Sequence, residues 1–260
     1  NGVPVLHIHG LAPDHLLMAG CMEPIFSQLA GEVGSFQRIY FDLPGMGRTP
    51  ARDWIRDSDG MLDVILLFIE KVLGDSKFIL VSESYGSYLA RGVIAELPDQ
   101  VLGTAFIAPV IIPDPLQRER PEHVVIKRDD TFLATMFEEG RLDFEDTFVV
   151  LNENVWRRYQ DEVKVGFNRM DESFIQRLWL QGYPFTYDVD GRIGVFNKPS
   201  LFLLGRQDSI VGYKDALQLI ENYPRATFAI IDKAGHFLQI EQERIFDALI
   251  IEWLNVFIKK

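Results

Sequence analysis

The chain of 260 residues contains a single cysteine, Cys21, so no disulfide can form within it. A reducing compartment, the cytoplasm, is the expected setting. No uninterrupted apolar run approaches the ~20 residues that a membrane helix needs, and no span is expected. No basic segment followed by an apolar one stands near the start, so no signal peptide is expected either. An excess of basic residues is also missing. Lys and Arg number 26 against 38 Asp and Glu, a formal net charge of −12. Nucleic-acid binding relies on a basic footprint, and that partner is disfavoured. The chain shows no internal repeat and no low-complexity tract. What is present is a globular composition, 47% hydrophobic, in a chain long enough for one domain with an insertion.

Short apolar runs alternate with helical patterns. Strands are expected over Val3–Ile8, Phe36–Phe41, Phe78–Val81, Val101–Ala108, Ser200–Leu204 and Ala226–Ile231. Helices are expected over Met22–Ala30 with Pro24 in the first turn, Asp59–Leu73, Ser84–Leu97, Tyr213–Asn222 and Glu241–Ile258. In the second helix Leu62, Ile65, Ile69 and Val72 share a face; in the last, Ile245, Leu249, Trp253 and Phe257 do. Continuous apolar strands separated by helices indicate an α/β fold: a mostly parallel sheet of about six strands with helices on both faces. The rhythm breaks between 110 and 198. That stretch is charged and aromatic with helical spacing, as in Thr131–Phe137, Phe144–Leu151 and Ser173–Leu180. It reads as an inserted helical cap over a core made of 1–109 and 199–260.

In such a sheet, sites form beyond the carboxyl ends of the strands. Ser82-Glu83-Ser84-Tyr85-Gly86 follows the third strand and opens a helix. A serine flanked at two residues' distance by Ser82 and Gly86 suits a tight, strained turn that lifts its hydroxyl above the sheet. The helix start aims free N–H groups at negative charge developing beside it. Asp42 ends the second strand, Asp208 follows the fifth and His236 the sixth. His9-Gly10 follows the first.

These motifs, with Asp42-Leu43-Pro44-Gly45-Met46-Gly47 and Glu241 after His236, give a chain that resembles the α/β-hydrolase fold family along nearly its whole length outside the insertion. The resemblance implies Ser84 as nucleophile, His236 as general base and acid, and Asp208 as the acid that orients it. It also implies an oxyanion hole of the Leu11 and Tyr85 backbone N–H groups. Two antiparallel strands usually precede the His-Gly strand in that family. Here only Asn1 and Gly2 do, so the sheet is reduced or the start is trimmed.

The remaining readings are broader. Asp114 is a rival to Asp208 as the acid. His9 and Glu83 are candidate pocket residues, with His9 also read as ordering its loop. His7, His9, Asp14 and His15 do not match a metal-ligand spacing, so neither a metal nor a cofactor is expected. Arg118-Glu119-Arg120 reads as a solvated charge cluster. Most of the insertion aromatics, Trp156, Trp179 and Tyr183 among them, are expected to pack the cap onto the core. The expected activity is that of a serine hydrolase on a small-molecule carboxylic ester. Amide or aminopeptidase activity and carbon–carbon hydrolysis are alternatives on the same residues, and a non-catalytic binder is the different class. A base of ordinary histidine pKa predicts loss of activity below about pH 6–7. The oligomeric state is not legible.

Overall fold

The structure is a computed structural model and describes residues 2–29 and 36–258. Six parallel strands form the central sheet: β1 (Val3–Ile8), β2 (Phe36–Tyr40), β3 (Phe78–Glu83), β4 (Val101–Ile107), β7 (Ser200–Gly205) and β8 (Ala226–Ile231). Their order is β2-β1-β3-β4-β7-β8. From β1, one strand in from the edge, the path winds out to β2, crosses back over β1 and continues to β8. Two further strands of two residues each, β5 (Lys127–Arg128) and β6 (Val150–Leu151), pair with each other outside this sheet. Every residue of β3 and β7 is buried, as expected of inner strands covered on both faces. The edge strands β2 and β8 keep exposed positions.

Helix α1 (His15–Leu29) and helix α11 (Glu243–Leu254) pack against each other. Helix α2 (Ser58–Val72) packs on α3 (Ser84–Glu96). By the right-handed rule for parallel crossovers, this strand order puts the two pairs on opposite faces of the sheet.

The helix boundaries depart from the sequence expectation in instructive ways. Helix α1 begins at His15 rather than Met22, because Asp14 accepts the Leu16 N–H at 2.9 Å and starts it. Pro24 therefore lies inside the helix, and the apolar positions Leu17, Met18, Cys21, Met22, Ile25, Phe26 and Leu29 form one buried stripe around it. Ala30, the expected end, lies outside the described residues. In α2, Leu62, Ile65 and Ile69 are buried as expected, but Val72 is exposed and Leu73 takes the inward position. The expected C-terminal helix is broken into α10 (Leu238–Glu241), α11 and a short 3₁₀ turn at Asn255–Phe257. Its buried face is Phe246, Ile250, Trp253 and Leu254, and Ile245 points outward. The segment Asp215–Asn222 is a 3₁₀ rather than an α-helix.

Between β4 and β7 lie short helices: α4 (Asp130–Leu133), α5 (Glu138–Thr147), α6 (Glu153–Arg158), α7 (Val165–Phe167), α8 (Glu172–Arg177) and α9 (Val189–Ile193). The expected helix over Phe144–Leu151 instead ends at Thr147, and Val150 and Leu151 become β6. Tyr159–Lys164 and Leu178–Gly182 are π-helical. A second apolar cluster holds this segment together, with Phe144, Phe148, Tyr159 and Val163 packed around Phe237 and Ile240 from the core. Buried Arg91 of α3 anchors it from the other side. Its Nε lies 2.9 Å from Asp190 of α9, and its terminal nitrogens donate to the Val110 and Ile111 carbonyls.

Candidate active site

The loop after each of the strands β1, β3, β7 and β8 delivers one part of a single cluster. Strand β3 runs into α3 through Ser84, whose φ of +51° lies in the left-handed region. A non-glycine residue there is strained by about 1–3 kcal/mol and persists only where its surroundings over-determine it. They do so here. A Cβ on Gly86 would collide with the backbone carbonyl oxygens of Ile8 and His9, so only glycine lets α3 approach β1 this closely. Ser82 is fully buried, and its hydroxyl donates to Ser87 Oγ at 3.1 Å, tying the strand to the helix it feeds. The Val110 N–H donates to the Ser84 carbonyl at 3.2 Å.

Ser84 Oγ lies 2.9 Å from His236 Nε2, and His236 Nδ1 lies 2.9 Å from Asp208 Oδ2. Asp208 is fully buried, which is tolerable because its other oxygen accepts the N–H groups of Ile210 and Val211, each at 2.9 Å. Burial alone would lower the His236 pKa. The charge and hydrogen bond of Asp208, with a smaller contribution from Glu83, outweigh it and hold the imidazole above its ordinary value. Asp114, the rival acid, is engaged elsewhere. It accepts from the Leu116 N–H and the Gln117 side chain and does not reach His236.

Glu83 stands immediately beside this chain. Its side chain is 1% exposed and its Oε1 lies 3.5 Å from His236 Nε2. Neither oxygen makes a well-formed hydrogen bond to a described residue, although the Gly10 amide approaches it. Burial raises its pKa from 4.5 to about 7. Glu241 fixes the loop that carries His236. Its carboxylate accepts from Gly235 N–H at 2.5 Å and from Val149 and Val150 N–H at 2.7 and 3.2 Å.

Leu11, Glu83, Ser84 and His236 line one pocket of about 280 Å³, with Val110, Arg118, Trp179, Tyr183 and Ile210 on its other walls. The Tyr85 N–H belongs to the first turn of α3, where amides have no partner inside the helix. A larger hollow of about 500 Å³, lined by Asp63, Leu66, Glu96 and neighbours, has no serine, cysteine or histidine in its wall.

Two expectations need correction. His9 is fully buried and does not line the pocket. Its Nε2 accepts the Leu43 N–H at 3.0 Å, so the proton sits on Nδ1, which donates to the Gly10 carbonyl at 2.8 Å. His9 therefore ties the loop after β1 to the loop after β2. Arg118 is not part of a solvated cluster: it is buried, while Glu119 and Arg120 are exposed. The insertion aromatics mostly pack, as expected. Trp179 and Tyr183 are those of the three named above that line the pocket, both placed by the second π-helical segment and its end.

Asp14, His15 and Asp42 offer ligand atoms within 4.8 Å of one another. Those atoms already have protein partners. Asp42 accepts from His15 and from the Arg48 N–H, and Asp14 pairs with Arg169 at 3.0 Å. The chemistry of this donor set is that of a loop clamp rather than an ion cage. Cys21 is buried and its thiol pKa is pushed up by burial, which suits packing and not thiol chemistry.

Comparison with known proteins agrees with this geometry. The family model described as the alpha/beta hydrolase fold matches residues 3–243. A solved alpha/beta superfamily hydrolase from Oenococcus oeni PSU-1 superposes with a TM-score of 0.89 at 31% identity, covering 98% of this chain and 92% of that one. A pimeloyl-[acyl-carrier protein] methyl ester esterase of Legionella pneumophila (strain Paris) is 24% identical over 98% of this chain and 96% of its own. A 2-hydroxymuconate semialdehyde hydrolase of Pseudomonas putida is 23% identical over 98% of this chain and 88% of its own. Among the described residues no helix is long and apolar enough to cross a membrane. The chain belongs to the alpha/beta hydrolase fold family, and it is a hydrolase of that family.

Proposed function

We propose that the protein cleaves a small-molecule carboxylic ester through an acyl-enzyme on Ser84. The observation that carries this reading is the unbroken chain from Ser84 Oγ through the His236 ring to Asp208. A serine hydroxyl attacks only when a base removes its proton. His236 takes that proton at Nε2 as Oγ bonds to the ester carbonyl carbon, and Asp208 holds the other ring nitrogen and balances the imidazolium. The Leu11 and Tyr85 N–H groups stabilise the oxyanion, each worth about 2.7–4 kcal/mol if well aimed. Collapse of the adduct breaks the ester C–O bond, and His236 returns its proton to the departing alkoxide. Water, deprotonated by His236, then releases the acid and frees Ser84.

Residues 110–198 act as a cap over the core formed by 1–109 and 199–260. The cap contributes Arg118, Trp179 and Tyr183 to the pocket wall, and a pocket of about 280 Å³ suits short to medium acyl groups. The esterase among the relatives supports ester cleavage. Carbon–carbon hydrolysis on the same residues is the second reading, favoured by the semialdehyde hydrolase among them. One buried cysteine suits a reducing compartment, the cytoplasm.

A fluorophosphonate probe tests the assignment. It should label the native protein and leave Ser84→Ala unlabelled. A native protein that stays unlabelled under conditions that label a control esterase is not a serine hydrolase. Labelling that survives Ser84→Ala places the nucleophile elsewhere. A set of p-nitrophenyl and methyl esters of increasing acyl length, with a vinylogous 1,5-diketone beside them, separates ester from carbon–carbon cleavage.

A further inference from the structure

The ester group attacked in the proposed reaction is uncharged, yet the pocket that would hold it contains a buried cation. Arg118 is 8% exposed. Its Nε–H donates to the Ile112 carbonyl at 2.8 Å, one terminal nitrogen to Pro113 at 2.9 Å and the other to Ile210 at 3.3 Å. All of these partners are neutral. Among the described residues Arg118 forms no ion pair, although buried charges in folded proteins are ordinarily paired. A guanidinium has five N–H donors and no acceptor, so two donors remain beyond the three carbonyl bonds, with the neutral Tyr183 hydroxyl within reach of one of them.

The setting of those donors is that of a ligand wall. The guanidinium carbon lies 5.8 Å from the Trp179 ring centre and 5.9 Å from that of Tyr183, and the Tyr183 hydroxyl sits beside it. Arg118, both aromatic rings, Ser84 and His236 all line the same pocket. The charge of Arg118 is felt at His236, where it opposes protonation. Its Ile210 contact joins it to the turn whose amides hold Asp208. A planar fork fixed by carbonyls and flanked by rings is preorganised for a carboxylate, to which it can donate hydrogen bonds, two when the Tyr183 hydroxyl yields its place. The chain as a whole, at a formal net charge of −12, does not favour anions, so this cation is a local feature.

We infer that Arg118 determines specificity and that the pocket selects esters carrying a carboxylate, which pairs with the guanidinium while the ester carbonyl rests at Ser84. This rests on the serine-hydrolase reading above and adds the substrate class to it. The carboxylate can belong to the acyl side or to the alcohol side of the ester.

The test compares matched pairs. Monomethyl glutarate against methyl pentanoate places the charge on the acyl side. The pentanoate ester of glycolate against propyl pentanoate places it on the alcohol side. For at least one pair, kcat/KM for the anionic ester should exceed that of the neutral one by tenfold or more, and Arg118→Gln should reduce that ratio at least tenfold. A structural role for Arg118 would lower both esters together and leave the ratio unchanged. Should Arg118→Gln fail to fold, inhibition of the native enzyme decides. Glutarate should inhibit at least tenfold more tightly than pentanamide. Neutral preference in both pairs, or an unchanged ratio in a folded variant, overturns the inference. If no ester is cleaved, the ester-cleavage reading fails on its own. Binding of monomethyl glutarate and methyl pentanoate to Ser84→Ala, followed by Trp179 fluorescence, then decides the role of Arg118 by the same tenfold criterion.

Discussion

Replacing Glu83 by glutamine should make the protein's stability less sensitive to alkali. In the native state burial holds the Glu83 proton until about pH 7, whereas the unfolded chain releases it near the ordinary value of 4.5. Between those limits the native state binds more protons than the unfolded state, so stability falls as pH rises. The stabilising contribution of the neutral acid is complete below 4.5 and is lost as pH climbs through 7. Each pH unit corresponds to 1.36 kcal/mol, which makes the whole loss about 3 kcal/mol. A glutamine side chain has nearly the same shape and does not titrate. The stability of Glu83→Gln relative to the native protein should therefore increase by about 3 kcal/mol between pH 4.5 and 8. Urea unfolding of both proteins at several pH values measures this, and groups common to both, Glu241 included, cancel. The variant should also change the rate profile. Once ionised, near and above pH 7, Glu83 helps hold the His236 proton, so the acid limb of kcat/KM should move to lower pH when that side chain can no longer ionise. Parallel stability curves and an unmoved acid limb would refute the reasoning, because both follow from one buried carboxyl 3.5 Å from the imidazole.

The native acid limb itself should lie above the ordinary histidine value of 6.5, since the folded imidazole must lose its proton to act and Asp208 retains it; a limb centred below 6 would contradict the assignment of His236. Asp208→Asn should lower kcat by about 10⁴-fold with little change in fold, because the wrong tautomer is then favoured, and circular dichroism with steady-state kinetics checks both halves. Gly86→Ala drives a methyl group into the Ile8 and His9 carbonyls, with no flexible side chain to yield. It should destabilise by at least about 1–3 kcal/mol in a thermal melt. Arg91→Met leaves the partly buried Asp190 and the Val110 and Ile111 carbonyls without their partner and should cost about 1–3 kcal/mol, part of it recovered by adding Asp190→Leu.

The elements that carry the site were legible in the chain because they are local. Phe78 to Gly86 encodes a buried strand, a turn of small residues and a helix start within nine consecutive positions, and no distant contact is needed to read it. The C-terminal helix shows the opposite case. Ile245, Leu249 and Trp253 form one apolar stripe, and Phe246, Ile250, Trp253 and Leu254 form another. Both have helical spacing, and only packing on the sheet selects the second. Pro24 misled for a related reason. Proline is common in first turns, but the stripe from Leu17 to Leu29 buries enough to carry α1 through it. Glu83 was legible as a candidate pocket residue but not as a carboxyl without a good partner, and Arg118 reads in sequence as a solvated charge. What distinguishes them is the absence of a partner, and an absence is decided by segments far away in sequence: the Gly10 loop and His236 for one, Ile112, Ile210 and Trp179 for the other.

Strain is distributed by the same logic. Ala12, Ser84, Ala108 and Lys233 are the non-glycine residues among those described that take positive φ. They follow β1, β3, β4 and β8 respectively, so all four lie on loops at one edge of the sheet. At about 1–3 kcal/mol each, such residues would be removed by relaxation in a loosely held loop. Here the loops are clamped by buried hydrogen bonds: His9 accepts the Leu43 N–H after β1, the Ser84 carbonyl after β3 accepts the Val110 N–H after β4, and Glu241 after β8 accepts the Val149 and Val150 N–H groups. Those clamps join loops from different strands, so no loop can relax without breaking hydrogen bonds made by another. A buried donor or acceptor left unmade costs about 1–3 kcal/mol, comparable to the strain that its release would relieve. The balance explains why Ser84 can be held in an unfavourable conformation with its hydroxyl 2.9 Å from His236. It also means that weakening a clamp such as Glu241 should loosen the Ser84–His236 geometry without touching either residue.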